Sequence, residues 1–126
     1  MTRILLIGLH PEAVDFSDPA LPPGMNAEII HMAIALTLKS MRDRGWEVDP
    51  LMIEHDQTAM QAVADQLAGN SYDCVVIGAG LRLPPRSLVL FEAVINAVHR
   101  GAPGAAIAFN TRPEDSADAA ARWLPE

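Results

Sequence analysis

The sequence predicts an α/β domain: a short parallel sheet of four strands, in the order 2-1-3-4, with helices on both faces. Two observations carry this expectation. Residues 3–9, 74–78 and 105–109 are apolar stretches without polar alternation, which is how strands covered on both faces read. Segments with helical spacing of apolar residues separate them, and strand–helix alternation of this kind favours parallel strands joined by right-handed crossovers.

The first strand is RILLIGL, residues 3–9. The first helix spans residues 26–44, with Asn26 as a good N-cap and Gly45 as its stop. The second strand, 47–53, contains Pro50, which cannot donate to a ladder and so places this strand at an edge. In the second helix, 58–68, Thr58 and Gln61 fit a capping box, and Met60, Val63, Ala64 and Leu67 make one apolar face. After the third strand, 74–78, a loop carrying Pro84 and Pro85 leads to a helix that starts near Ser87 and ends before Gly101. After the fourth strand, a last helix follows Thr111, with Glu114 completing a second capping box, and runs to about Trp123. With no linker, repeat or low-complexity tract, residues 1–126 read as one domain.

Composition narrows the function. Nine Lys and Arg stand against sixteen Asp and Glu, a formal charge of −7. Nucleic acids and anionic membranes select for clustered positive charge, so neither is an expected partner. Half the residues are hydrophobic, which excludes disorder as the main state. The single cysteine excludes an internal disulfide and a cysteine zinc cage, and the apolar start is too short for a signal peptide or a membrane span. A reducing cytoplasm is the expected compartment.

In open parallel sheets, ligands sit outside the carboxyl ends of the strands, at the switch point between the first and third strands in this order. The loop after the first strand, residues 10–24, is long and holds four prolines. Loops of that length are often lids or binding loops. Val14, Phe16 and Leu21 are expected to anchor it, while His10, Asp15 and Asp18 face a ligand. After the third strand, Gly78 and Gly80 permit a sharp turn and close approach of the backbone, and the helix starting near Ser87 aims free N–H groups at the same space. Arg82 and Arg86 add bidentate donors for phosphate or carboxylate, and Asn110 and Arg112 follow the fourth strand onto the same rim. The expected ligand is therefore a small anionic metabolite or nucleotide-like molecule. Binding would rest on Gly78, Gly80, Arg82, Arg86, Ser87, Asn110 and Arg112, and His10 and Asp15 would be the acid–base pair if there is catalysis.

Element order resembles that of flavodoxin-like domains across nearly the whole chain, which implies their fold. Where flavodoxins carry a Ser/Thr-rich phosphate loop, this chain has Leu9-His10-Pro11-Glu12. Response-regulator receivers are similar in layout, but Gly78-Ala79-Gly80 stands where their strand-end aspartate would be. The Gly78-x-Gly80 turn lacks the third glycine of a dinucleotide fingerprint, and the sole lysine, Lys39, lies within a helix rather than a phosphate loop. No cofactor is assigned. Cys74 sits in an apolar strand, and Ser17 and Ser87 have no obvious base beside them in sequence. Two alternatives remain: a metal-dependent hydrolase using His10, His55 and nearby acids, and a non-catalytic dimeric regulatory or interaction module. No metal ligand set matches a known spacing.

The helices are unusually apolar. In 87–100 the polar positions Glu92, Asn96 and His99 form one narrow stripe, and in 26–44 Glu28, His31, Lys39 and Arg42 form another. A surface helix in a monomer usually shows a wider polar face. A homodimer through helix 87–100 or helix 26–44 is the expected assembly.

Overall fold

The computed structural model describes residues 1–19 and 21–125. Ala20, inside the long loop, and Glu126 lie outside the described residues. Strands β1 (Arg3–Leu9), β2 (Glu47–Ile53), β3 (Cys74–Ile77) and β4 (Ala106–Phe109) form one parallel sheet in the order β2-β1-β3-β4. Leu6 stands opposite Pro50 on one side and Val76 on the other. β2 is an edge strand, where a residue without an N–H is tolerated.

Successive side chains of a strand point to opposite faces, and both faces here are covered. Leu5, Ile7, Val75 and Ile77 pack with Val63 and Leu67 of α2 (Thr58–Ala68) and with Val94 and Val98 of α4 (Leu88–Gly101). Ile4, Leu6, Cys74, Val76 and Ala108 pack with Met41 of α1 (Ala27–Asp43) and with Ala117, Ala119 and Ala120 of α5 (Ser116–Ala121). The two cores explain the apolar runs: the apolar residues of β1 and β3 have an apolar layer to meet, whichever way they point.

α1 begins where the Asn26 side chain accepts the Ile29 N–H at 2.9 Å. It ends at Gly45, whose φ of +88° lies in the left-handed region that glycine reaches without strain.

Neither expected capping box forms. At α2, the Asp56 carboxylate accepts the Thr58 N–H at 2.8 Å and its hydroxyl, while Gln61 turns to Asp65. Before α5, Asp115 rather than Glu114 accepts the Thr111 N–H at 3.0 Å and its hydroxyl. A carboxylate already placed to accept both donors of one Thr displaces the weaker amide or more distant acid. The expected loop after β3 is also more ordered than its glycines and prolines suggest. It contains α3 (Ala79–Arg82) and a 3-10 turn at Pro85–Ser87 that runs into α4. Proline suits the first turn of a helix, where its missing N–H has no partner to lose.

Much of the apolar surface of α4 is covered within the chain. Val94 and Val98 are buried, and Phe91 packs on Phe109 with ring centroids 5.8 Å apart. The exposed large apolar side chains of this helix are Leu88 and Val89, at its start. On α1, by contrast, Ile29, Met32 and Leu36 lie exposed along one line.

Candidate functional site

At their carboxyl ends β1 and β3 part company. β1 leads toward α1 on one face of the sheet and β3 toward α3 and α4 on the other, which opens a crevice between them. The Gly78 N–H donates to the Ile7 carbonyl at 2.8 Å and so joins the two strand ends, but its backbone is extended and a methyl group added there would meet that oxygen at 3.4 Å, an ordinary contact, so glycine is not required for this turn. A cleft of about 200 Å³ occupies the crevice. Its lining is largely apolar, with Leu6 from β1, Ile30 and Ile34 from α1, Met52 from β2, and Val14 and Leu21 from the long loop.

Of the nine residues expected to form the site, Asp15, Gly78, Gly80, Arg86, Ser87, Asn110 and Arg112 line this cleft. The other two, His10 and Arg82, are outside its lining. His10 caps a 3-10 turn at Pro11–Ala13, accepting the Glu12 N–H on Nδ1 at 3.1 Å. Its ring stands edge-on to His31, 5.9 Å away. Arg82 donates to the Asn110 carbonyl at 2.9 Å and lies over the Phe109 ring, 5.9 Å from its centroid. Its Nε is buried without a hydrogen-bond partner among the described residues.

Asp15 and His10 are held by separate partners. The Asp15 carboxylate accepts the Ser17 hydroxyl at 2.6 Å and the Ser17 N–H at 3.0 Å, and these bonds hold its pKa below the usual carboxylate value, with the Arg86 charge adding to the effect. Of the expected loop anchors, Val14 and Leu21 reach the cleft, whereas Phe16 is exposed. Asp18, expected to face the ligand, is in the lining.

Asn110 is a brace between two loops. Its Oδ1 accepts the Ala79 N–H at 2.7 Å, and its Nδ2 donates to the Ser116 hydroxyl at 2.9 Å. That hydroxyl in turn donates to the Pro113 carbonyl at 2.7 Å. The buried amide thus fixes both loop ends that follow β3 and β4. Two guanidinium groups stand nearer solvent. Arg86 reaches across to the long loop and donates to the Ala13 carbonyl at 3.3 Å, and Arg112 sits 3.6 Å from Glu114.

Sequence reasoning left Ser87 without a base. The structure brings His55, from the loop after β2, to it: His55 Nε2 lies 3.0 Å from Ser87 Oγ. Ser87 has no exposed surface, while His55 is exposed. Partial burial, followed by the nearby Arg86 charge, lowers the His55 pKa and favours the neutral ring. Thirty-two residues separate the pair in sequence, and no local spacing signals it.

The alternative of a metal-dependent hydrolase rests on His10, His55 and nearby acids. Among the described residues, no group of three or more His, Cys, Asp or Glu side chains is arranged to hold a metal ion. Cys74 lies in the sheet, where burial pushes its thiol pKa up to about 11. At the opposite end of the sheet, Arg3 pairs with Glu47 and Asp49 at 3.2 Å, and Tyr72 donates to Asp49 at 2.7 Å. These polar groups pair with one another. Among the described residues, no helix is long and apolar enough to cross a membrane. No protein-family model and no curated protein matches this chain.

Proposed function

We propose that this chain binds a small amphipathic anion at the carboxyl ends of its strands, with an apolar body in the cleft and a carboxylate or phosphate at its rim. The observation that carries this reading is the division of the cleft lining: an apolar interior from β1, β2, α1 and the long loop, and the guanidinium-bearing Arg86 and Arg112 on the same lining. Apolar burial provides affinity, while a few placed polar groups fix orientation. A guanidinium offers two parallel donors to a carboxylate or phosphate. Of the two kinds of ligand expected from sequence, a small anionic metabolite and a nucleotide-like molecule, the aliphatic lining favours the first, as an acyl or aromatic acid. Strand order and the position of the cleft support a flavodoxin-like relationship, and the single buried cysteine supports a reducing, cytoplasmic setting.

Thermal denaturation against a panel of aliphatic carboxylates, aromatic carboxylates and phosphate monoesters tests this reading. A ligand at a hundredfold excess over its Kd stabilises the fold by about 2.7 kcal/mol, a shift of many degrees for a domain of this size. The double variant Arg86→Ala, Arg112→Ala is expected to lose most of that shift while keeping its unliganded Tm. No shift with any member of the panel would overturn the reading.

The reading includes a second copy of the chain, packed through α1. The support for this arrangement over one through α4 is the exposed line of Ile29, Met32 and Leu36.

A further inference from the structure

We infer that Ser87 and His55 form a nucleophile–base pair that cleaves an ester or thioester of the acid bound in the cleft. The inference rests on the binding reading above and adds a reaction to it. Three observations meet at this point. Ser87 Oγ and His55 Nε2 are 3.0 Å apart, the separation at which an imidazole takes a hydroxyl proton. Ser87 stands in the lining of the cleft, at the start of α4. His55, on the loop after β2, is not itself in that lining, and its Nε2 meets the cleft at Ser87 Oγ.

Protonation favours the same assignment. A base must be neutral to accept the proton. The charge that acts on His55 is that of Arg86, beside Ser87; of its chain neighbours Glu54 and Asp56, the latter is bonded to Thr58. Burial first, and then Arg86, lowers the His55 pKa from its ordinary value of 6.5. Above that value the ring is neutral and Nε2 is available as acceptor.

The chemistry balances with water as the only co-reactant. Ser87 Oγ attacks the carbonyl carbon and its proton passes to His55 Nε2. The bond from that carbon to the alcohol or thiol breaks, and the departing group takes the proton from Nε2. Water then attacks the acyl carbon, giving a proton to Nε2. The Ser87 ester breaks, the hydroxyl recovers that proton, and the carboxylic acid leaves. Ser87 is covered as the structure stands, and Arg86, bonded to the Ala13 carbonyl, ties the long loop beside it.

A fluorophosphonate probe tests the pair directly, because it forms a bond from phosphorus to a serine oxygen and expels fluoride only where that oxygen is activated. Incubation of the folded protein, followed by peptide mass mapping, is expected to place the adduct on Ser87. Ser87→Ala is expected to abolish it. His55→Gln, which alters an exposed side chain and leaves the core alone, is expected to slow labelling by about 100-fold, within the range for loss of a general base. The wild-type rate is expected to rise with pH through a midpoint below 6.5 and to level off above it. Absence of an adduct on Ser87, labelling of another residue alone, or equal rates in the wild type and His55→Gln would each overturn the inference. The carboxylate panel separates the two proposals. Binding without labelling removes the pair and leaves the binding reading, labelling without binding keeps an activated Ser87 but overturns the binding reading and with it the substrate assigned here, and the absence of both removes both.

Discussion

Ala33, Thr37 and Met41 make the buried stripe of α1, and among the described residues the Thr37 hydroxyl has no hydrogen-bond partner. A buried hydroxyl left unpaired carries a desolvation penalty of about 1–3 kcal/mol. Thr37→Val keeps the branched shape, removes the polar atom and changes helix propensity little. It is expected to stabilise the fold by about 1 kcal/mol, raising Tm by about 4 °C. An unchanged or lower Tm in a calorimetric scan would show that the hydroxyl is satisfied. Cys74 allows a second prediction. With its pKa pushed up to about 11 and no surface exposed, it is a protonated thiol at neutral pH. Iodoacetamide is expected to leave it untouched in the native protein and to alkylate it fully in denaturant. Its inertness was legible in the sequence, because an apolar strand surrounds it. The Ser87–His55 contact was not, because it depends on how two separate strand-to-helix connections meet.

At the scale of elements, the strands were the most legible part, since a run of apolar residues with no polar alternation has one simple explanation. Their bounds moved by a single residue at most: β3 ends at Ile77 and β4 begins at Ala106. The loops were less legible, because several acids compete for each cap and sequence spacing does not choose among them. The structure gives a consistent answer. Asp15 accepts from Ser17, Asp56 from Thr58 and Asp115 from Thr111, so one carboxylate fastens each of three loops at the carboxyl ends of the sheet. Hydrogen bonds hold Asp15 and Asp56 below the ordinary value of 3.8. At Asp115, burial pulls the other way, but the bonds from Thr111 and Arg112 outweigh it and its pKa is also lowered. A carboxyl group whose folded pKa is depressed adds stability that is present above its unfolded pKa and is lost as pH falls through the folded value. Acid is therefore expected to loosen these loops below pH 3.8. Amide hydrogen exchange, corrected for intrinsic rates, is expected to accelerate there in residues 10–19, 54–58 and 111–115 before it does in the strands. Loops that keep their protection below that pH until the sheet itself opens would contradict this assignment.

For the whole molecule, the question is what covers α1. Its inner face lies on the sheet, while Ile29, Met32 and Leu36 are 43%, 60% and 64% exposed on its outer side. They are spaced three and four residues apart, so they share one stripe of the helix. Such a stripe suits a twofold axis, across which the same surface meets itself. The sequence made two helices candidates for this contact, because helical spacing reports how much of a helix is apolar but not how much its own chain already covers. In the structure, α2 and the sheet take up most of α4 apart from Leu88 and Val89 at its start, so the proposed second copy is assigned to α1. Charge adds a further expectation. Each chain carries −7, so two copies repel at low salt, and screening favours their association. Light scattering at micromolar concentration is expected to give twice 13.6 kDa, with a larger dimeric fraction at higher ionic strength. Leu36→Asp is expected to give a monomer of unchanged helicity, because the replaced side chain leaves the core untouched. A mass of 13.6 kDa for the wild type at every salt concentration would rule out the second copy.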